Sequence, residues 1–211
     1  MGQGGRFRCS IRRGKWRVKG DECLMETNEA LPEYTRYTYE DYCTWDDDKR
    51  RELIDGVPYA MSAPSQAHQE IIGGLHYQLY SFLKGKPCKV FIAPFDVRLN
   101  FDTRDDIVVQ PDLLVVCDKS KLDGKSCVGA PDMVIEILSP STAVLDKFLK
   151  FNRYLQAGVR EYWIVDPDSK TVSVYILEND KYTAHAYGSE DTVPVHVLEG
   201  CIINLPEVFE E

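Results

Sequence analysis

The chain has 211 residues, 44% hydrophobic and 28% charged, with a formal net charge of −9. This is the make-up of one globular domain with short appendages; no apolar run approaches the ~20 residues of a membrane span, and the basic N-terminus lacks the apolar core of a secretory signal. The acidity argues against a protein that coats DNA indiscriminately, which needs broad positive potential, but it leaves room for an enzyme with a local basic rim.

Residues 1–36 read as a basic arm. The first twenty hold Arg6, Arg8, Arg12, Arg13, Lys15, Arg17 and Lys19, five glycines and no acid. Residues 1–24 are expected to be disordered, with Met25 as an alternative start or with the arm touching phosphates. Residues 37–211 read as a single domain. TYEDYCTWDD opens as a short helix with Thr38 as N-cap and Asp41 in its first turn, and the DDDKRR run Asp46–Arg51 reads as its solvated end. RELIDGVPYAMSA reads as two short strands around Asp55-Gly56. HQEIIGGLHYQLYSFLKGK is an amphipathic helix, with Ile71, Leu75, Leu79 and Phe82/Leu83 on one stripe. Its Gly73-Gly74 pair predicts a close neighbour and not a phosphate loop, because no GxxxxGK is present.

Lys89–Asn100 alternates as a strand broken at Pro94. Ile107–Cys117 and Met133–Leu138 are dense apolar runs, as in strands covered on both faces. A helix is predicted from Ser139-Pro140-Ser141-Thr142 to a stop at Gly158. REYWIVD, TVSVYIL and KYTAHAY are strands, and the tail returns to the core through Ile202, Ile203 and Leu205. The order αββαββ(β)βαβββ is a mixed sheet with helices packed on it, an α/β (α+β) class. The cysteines Cys9, Cys23, Cys43, Cys88, Cys117, Cys127 and Cys201 are odd in number and lack CxxC or zinc spacing. They predict free thiols in a reducing cytoplasm, with Cys117 a small buried hydrophobe.

Three polar residues interrupt this pattern. Asp112 follows Pro111 at a strand start, as a turn cap or as a carboxylate at the mouth of a sheet. Glu136 stands among Val134, Ile135, Ile137 and Leu138, where an unpaired carboxylate is costly. It needs an Arg or Lys, or a metal to which the Ile137 carbonyl adds an oxygen. Lys150 follows on a helix face shared with Asp146, Lys147 and Tyr154, leaning back toward the Glu136 strand. The plain alternative is a set of solvated lysines. Together the three fit one chemistry: Mg²⁺ held by Asp112 and Glu136 polarises a phosphodiester, and the lysine orients water or steadies developing charge. His68 and Glu52 read, by pattern alone, as a helix-start histidine bonded to backbone and a surface ion pair with Arg51.

TYEDY, RELIDGVPYAMSAPSQAHQEIIGGLHYQL, VVQPDLLVVC and PDMVIEILSPST through REYWIVDP resemble the Uma family of restriction-endonuclease-like proteins, within the PD-(D/E)xK nuclease superfamily. The resemblance spans about residues 37–185. It implies a restriction-endonuclease-like αβββαβ core with flanking helices, and Mg²⁺-dependent cleavage of DNA with Mn²⁺ as a substitute. Pro111-Asp112 matches the PD, and Glu136 the (D/E). Leu138 stands where the motif has its lysine, and Lys150 on the next helix is the matching amine. Glu52 and His68 match recurrent family positions as accessory residues. The expectation is a cytoplasmic endonuclease acting on DNA, away from membranes, with a homodimer allowed. Lys150→Ala is expected to abolish cleavage with little loss of stability, and Lys147→Ala to act weakly. The rival is an inactive relative that serves as a binding or assembly module, favoured by the acidity and the displaced lysine. A carboxylate-pair glycosidase is third, since the carboxylates stand with a lysine in nuclease order.

Overall fold

The computed structural model describes residues 16–19, 22–25, 35–139 and 145–210. The chain divides into two units, Met1–Thr35 and Arg36–Glu211. In the first, β1 (Trp16–Lys19) pairs antiparallel with β2 (Glu22–Met25), Trp16 opposite Met25. The disordered arm expected over residues 1–24 overlaps these two strands, in which Trp16, Val18 and Leu24 are β-favouring residue types. The rest of that expectation lies outside the described residues.

In the second unit, α1 (Tyr39–Tyr42) is capped reciprocally. Asp41 N–H donates to Thr38 Oγ1, and Thr38 N–H donates to Asp41 Oδ2. The helix stops at Tyr42, so the Asp46–Arg50 run is an exposed loop and not a helix end. β3 (Arg51–Ile54) turns through Asp55 and Gly56, at φ 54° and 75°, into β4 (Val57–Ala60), the hairpin that the Asp-Gly pair predicts. α2 (Gln66–Leu83) starts at Ser65, whose Oγ accepts from His68 N, and buries Ile71, Leu75, Leu79 and Leu83. Of the glycine pair only Gly74 has the close neighbour expected: a Cβ there would stand 3.3 Å from Val208 Cα, while one at Gly73 would meet nothing within 4 Å.

β5 (Lys89–Ile92) and β6 (Asp96–Arg98) flank a cis Ala93–Pro94 bond. β7 (Val108–Val109), β8 (Leu113–Val116), β9 (Ser126–Val128) and β10 (Met133–Ile137) follow. A π-helical stretch, Leu145–Lys150, runs directly into α3 (Phe151–Ala157), which ends at Gly158 with φ 85°. The predicted start of this helix at Ser139–Thr142 falls largely outside the described residues. β11 (Glu161–Asp166), β12 (Thr171–Glu178) and β13 (Lys181–Gly188) form a meander, and β14 (Thr192–Pro194), β15 (Ile202–Asn204) and α4 (Leu205–Val208) complete the chain.

The larger sheet has the order β13-β12-β11-β10-β8-β5, antiparallel except between β10 and β11. The second has the order β4-β3-β7-β6-β9 with β6 and β9 parallel. Strand alternation splits the core in two. Leu113, Val115, Met133, Ile135 and Ile137 pack with α2 and the C-terminal segment. Leu114, Val116, Val134 and Leu138 pack with residues of the second sheet and α3. The dense apolar runs are thus strands covered on both faces, in a mixed α/β architecture.

Two cysteines differ from their reading. Cys117 is bonded to Cys88, 29 residues away. Lys89 lies opposite Val116 in the β5–β8 ladder, so the next position sets the two cysteines face to face. Spacing along the chain carries no trace of that register. Among the described residues no helix is long and apolar enough to cross a membrane.

Candidate active site

β10 and β8 are antiparallel with Ile135 opposite Leu113. One further step sets Glu136 across from Asp112. Alternation turns both toward the face that carries Leu114 and Val134, since Leu113, Ile135 and Ile137 belong to the other core. Asp112 is held in place by Ile137 N–H, which donates to its Oδ2 at 2.8 Å. From the first turn of α2, His68 brings Nε2 to 3.2 Å from the same oxygen.

The amine arrives from the π-helical stretch. Lys150 Nζ lies 2.8 Å from Glu52 Oε1, 2.9 Å from Glu136 Oε1 and 3.2 Å from Asp146 Oδ1, and all four side chains are buried. Lys147 is exposed, as are its neighbours Phe148 and Leu149. The common face expected for Lys147 and Lys150 is therefore absent: Asp146 and Lys150, at i and i+4, point inward, and Lys147 points to solvent. Glu52 is not a surface partner of Arg51; it is 2% exposed and faces Lys150. Its Oε1 also accepts Gln110 N–H at 2.8 Å. Tyr154, one turn on in α3, donates its hydroxyl to Glu136 Oε1 at 2.7 Å. Glu52, His68, Asp112, Glu136, Asp146 and Lys150 line one pocket of about 110 Å³, with Arg50 among its walls. The five residues singled out in the sequence thus share a pocket, in two contact groups: Lys150 with Glu52 and Glu136, and Asp112 with His68.

The sequence profile of a family described as "Uma2: Putative restriction endonuclease" matches residues 37–206. The chain belongs to the Uma2 family. An uncharacterized protein of Synechocystis, slr1290, is 27% identical over 150 residues, which is 70% of this chain and 77% of that protein. A crystal structure from Anabaena variabilis, of a protein described as a putative nuclease belonging to DUF820, superposes with a TM-score of 0.64 at 22% identity. It covers 82% of this chain and 97% of its own. At that identity the likeness speaks for the fold.

The electrostatics of this Uma2 pocket follow from its census. Burial alone would lower the Lys150 pKa, but Glu136, Glu52 and Asp146 outweigh it and hold the amine well above the ordinary lysine value. Burial pushes Glu136 up, and Asp146, Asp112 and Glu52 add to that against the pull of Lys150. The two directions agree physically: one ammonium among three carboxylates leaves surplus negative charge, so the amine keeps its proton and Glu136 tends to take one. For His68, burial works downward, but the hydrogen bond and charge of Asp112 win and raise it.

That surplus bears on the metal the family resemblance implies. A hard divalent cation takes carboxylate and carbonyl oxygens. The pocket supplies four carboxylates, and Asp146 Oδ1, although near Lys150, is buried without a hydrogen bond. The donor chemistry fits a cation. No set of three or more His, Cys, Asp or Glu side chains among the described residues is already gathered as a metal cluster. Asp112 and Glu136, on neighbouring strands and one sheet face, are the pair that would hold the ion.

Sequence reasoning did not assign roles to Asp146, Tyr154 or Gln110. Asp146 and Tyr154 stand four residues either side of Lys150, a spacing that marks them as helical neighbours of a buried amine. Gln110 immediately precedes Pro111-Asp112, and nothing in its type or position foretells its link to Glu52.

Proposed function

We propose that this chain is a metal-dependent endodeoxyribonuclease that hydrolyses phosphodiester bonds. The observation that carries the reading is the Lys150–Glu136 contact of 2.9 Å, in a pocket that Asp112 lines from the same sheet face. Asp112 and Glu136 would hold Mg²⁺ or Mn²⁺, which when bound polarises a phosphate oxygen and lowers the pKa of water. The chain's own groups do the rest. Lys150 keeps its proton and offers a fixed positive charge to the negative charge that grows on the phosphorus oxygens. Glu52 and Asp146 fix the amine, so no reorganisation is needed as that charge develops. Tyr154 holds Glu136 Oε1, and Ile137 N–H with His68 holds Asp112 Oδ2.

A second reading is a nuclease-fold module that binds without cutting. It is favoured by Glu136 Oε1, already engaged by both Lys150 and Tyr154. Supercoiled plasmid incubated with Mg²⁺, with Mn²⁺ and with EDTA separates the two. Nicking that needs metal and disappears in Asp112→Asn and Glu136→Gln supports the enzyme. A folded protein that binds the plasmid and leaves it intact under every metal condition supports the module.

A further inference from the structure

A pocket walled by carboxylates in a chain of net charge −9 should repel a nucleic-acid backbone. Something at its mouth has to offset that field. Lys150 is buried among three carboxylates, and His68 faces Asp112. Arg50 is different. Its neighbours Lys49 and Arg51 both pair with Asp47. Arg50 forms no ion pair among the described residues. Its Nε and Nη2 donate instead to one neutral oxygen, Gln110 Oε1, at 3.3 and 3.0 Å. That uses fewer than half of a guanidinium's N–H groups and none of its charge.

The seat under Arg50 is rigid. Gln110 is buried, and its side-chain amide donates to Tyr42 Oη at 3.0 Å and to Asp96 Oδ1 at 2.9 Å. With both amide hydrogens committed, the carbonyl is left to face Arg50. Gln110 N–H also donates to Glu52 Oε1, so the seat is tied to the carboxylate that grips Lys150. An exposed arginine would ordinarily lose much side-chain freedom on meeting a ligand. Here a buried glutamine has already fixed it on the wall of the pocket.

We infer that Arg50 is a phosphate-binding residue: its open N–H groups take a non-bridging oxygen of the nucleic-acid backbone at the pocket mouth. The identity of the ligand rests on the nuclease reading; the anion site itself rests on the geometry. A guanidinium suits the task because its planar fork can meet two phosphate oxygens at once.

The test is binding of a fluorescent duplex DNA in Ca²⁺ buffer across a salt series, with plasmid nicking in Mg²⁺ run beside it. Arg50→Ala should weaken binding about tenfold at low salt and lower the slope of log Kd against log salt by about 1. Arg50→Lys should recover part of the affinity, having the charge without the fork. Lys49→Ala, next door but paired with Asp47, should match the parent. Arg50 is exposed, so Arg50→Ala should melt with the parent protein, and a thermal scan checks that. Equal affinity and slope in Arg50→Ala and parent overturn the proposal, as does a parent protein that binds no duplex. If Arg50→Ala weakens binding while the parent never nicks, the phosphate site stands and the cutting activity falls.

Discussion

Two glutamates lie buried on adjacent parallel strands and have opposite surroundings. Glu161 opens β11 and is wholly buried; Glu136 stands near the end of β10 and is 3% exposed. Glu161 is met by neutral donors: Trp163 Nε1–H at 2.7 Å on one oxygen and Val197 N–H at 2.9 Å on the other. Each oxygen has a donor, and among the described residues no lysine or arginine pairs with it. Glu136 has a lysine and a tyrosine on one oxygen and three further carboxylates around its pocket. Both satisfy the rule that a buried carboxylate must be paired. One is paired to a neutral frame and closes the matter locally. The other belongs to a cluster with more negative charge than its partners cancel. Burial alone therefore does not mark a site; uncancelled charge beside a pocket does.

The sharpest way to break this contrast is to remove the amine. Lys150→Met should strip the cation from Glu52, Glu136 and Asp146 together. We expect a loss of about 3–5 kcal/mol in urea unfolding, the usual cost of breaking a buried ion pair from one side. This replaces the small stability effect expected for Lys150→Ala from sequence, where the burial of the amine among three carboxylates was not legible. A variant as stable as the parent would mean the carboxylates are already mostly protonated.

Glu161→Gln should lose one of two accepting oxygens and about 1–3 kcal/mol, with any nicking activity unchanged. Glu136→Gln should do the reverse, ending activity at little cost in stability because it relieves carboxylate crowding. Comparable melting points for the two variants would erase the distinction. Tyr154→Phe removes a single hydroxyl from Glu136 and should cost about 1 kcal/mol.

The smallest effect is a pH dependence. Burial raises the Glu161 pKa, against the pull of Val197 N–H and the Trp163 indole. A folded value above the unfolded one means the native state binds more protons in between, so stability falls as pH rises through that window. Glu161→Gln lacks this term. The melting-point advantage of the parent over Glu161→Gln should therefore be largest near pH ~4 and shrink toward pH ~7. An advantage that grows with pH would show that Glu161 is stabilised as the anion.

Local signals were legible wherever the physics was local. Thr38 with Asp41, Asp55-Gly56 and the Ile71–Leu75–Leu79 stripe each state their own conformation within a few residues. The dense apolar runs announced strands covered on both sides. Glu136 was visible as an acid out of place. Its partners were not, because Glu52 and Lys150 are separated by 98 positions of numbering yet meet at 2.8 Å. No periodicity encodes such a meeting. Pattern alone also left Lys147 and Lys150 equivalent; only their actual surroundings put one among carboxylates and the other in water. The Cys88–Cys117 bond was hidden for the same reason, since it depends on the β5–β8 register.

Leu138 has a consequence for how this pocket comes into being. It occupies the place where a nuclease strand would carry its own lysine, and it packs in the core with Val134 and Tyr154. Glu136 and the amine therefore never arrive on one segment. Glu52 comes from β3, His68 from α2, Asp112 from the head of β8, Glu136 from β10 and Lys150 from the π-helical stretch. On the function proposed above, no fragment of the chain holds a working subset, and a nascent or clipped chain would be silent toward nucleic acid until the last of these elements docks.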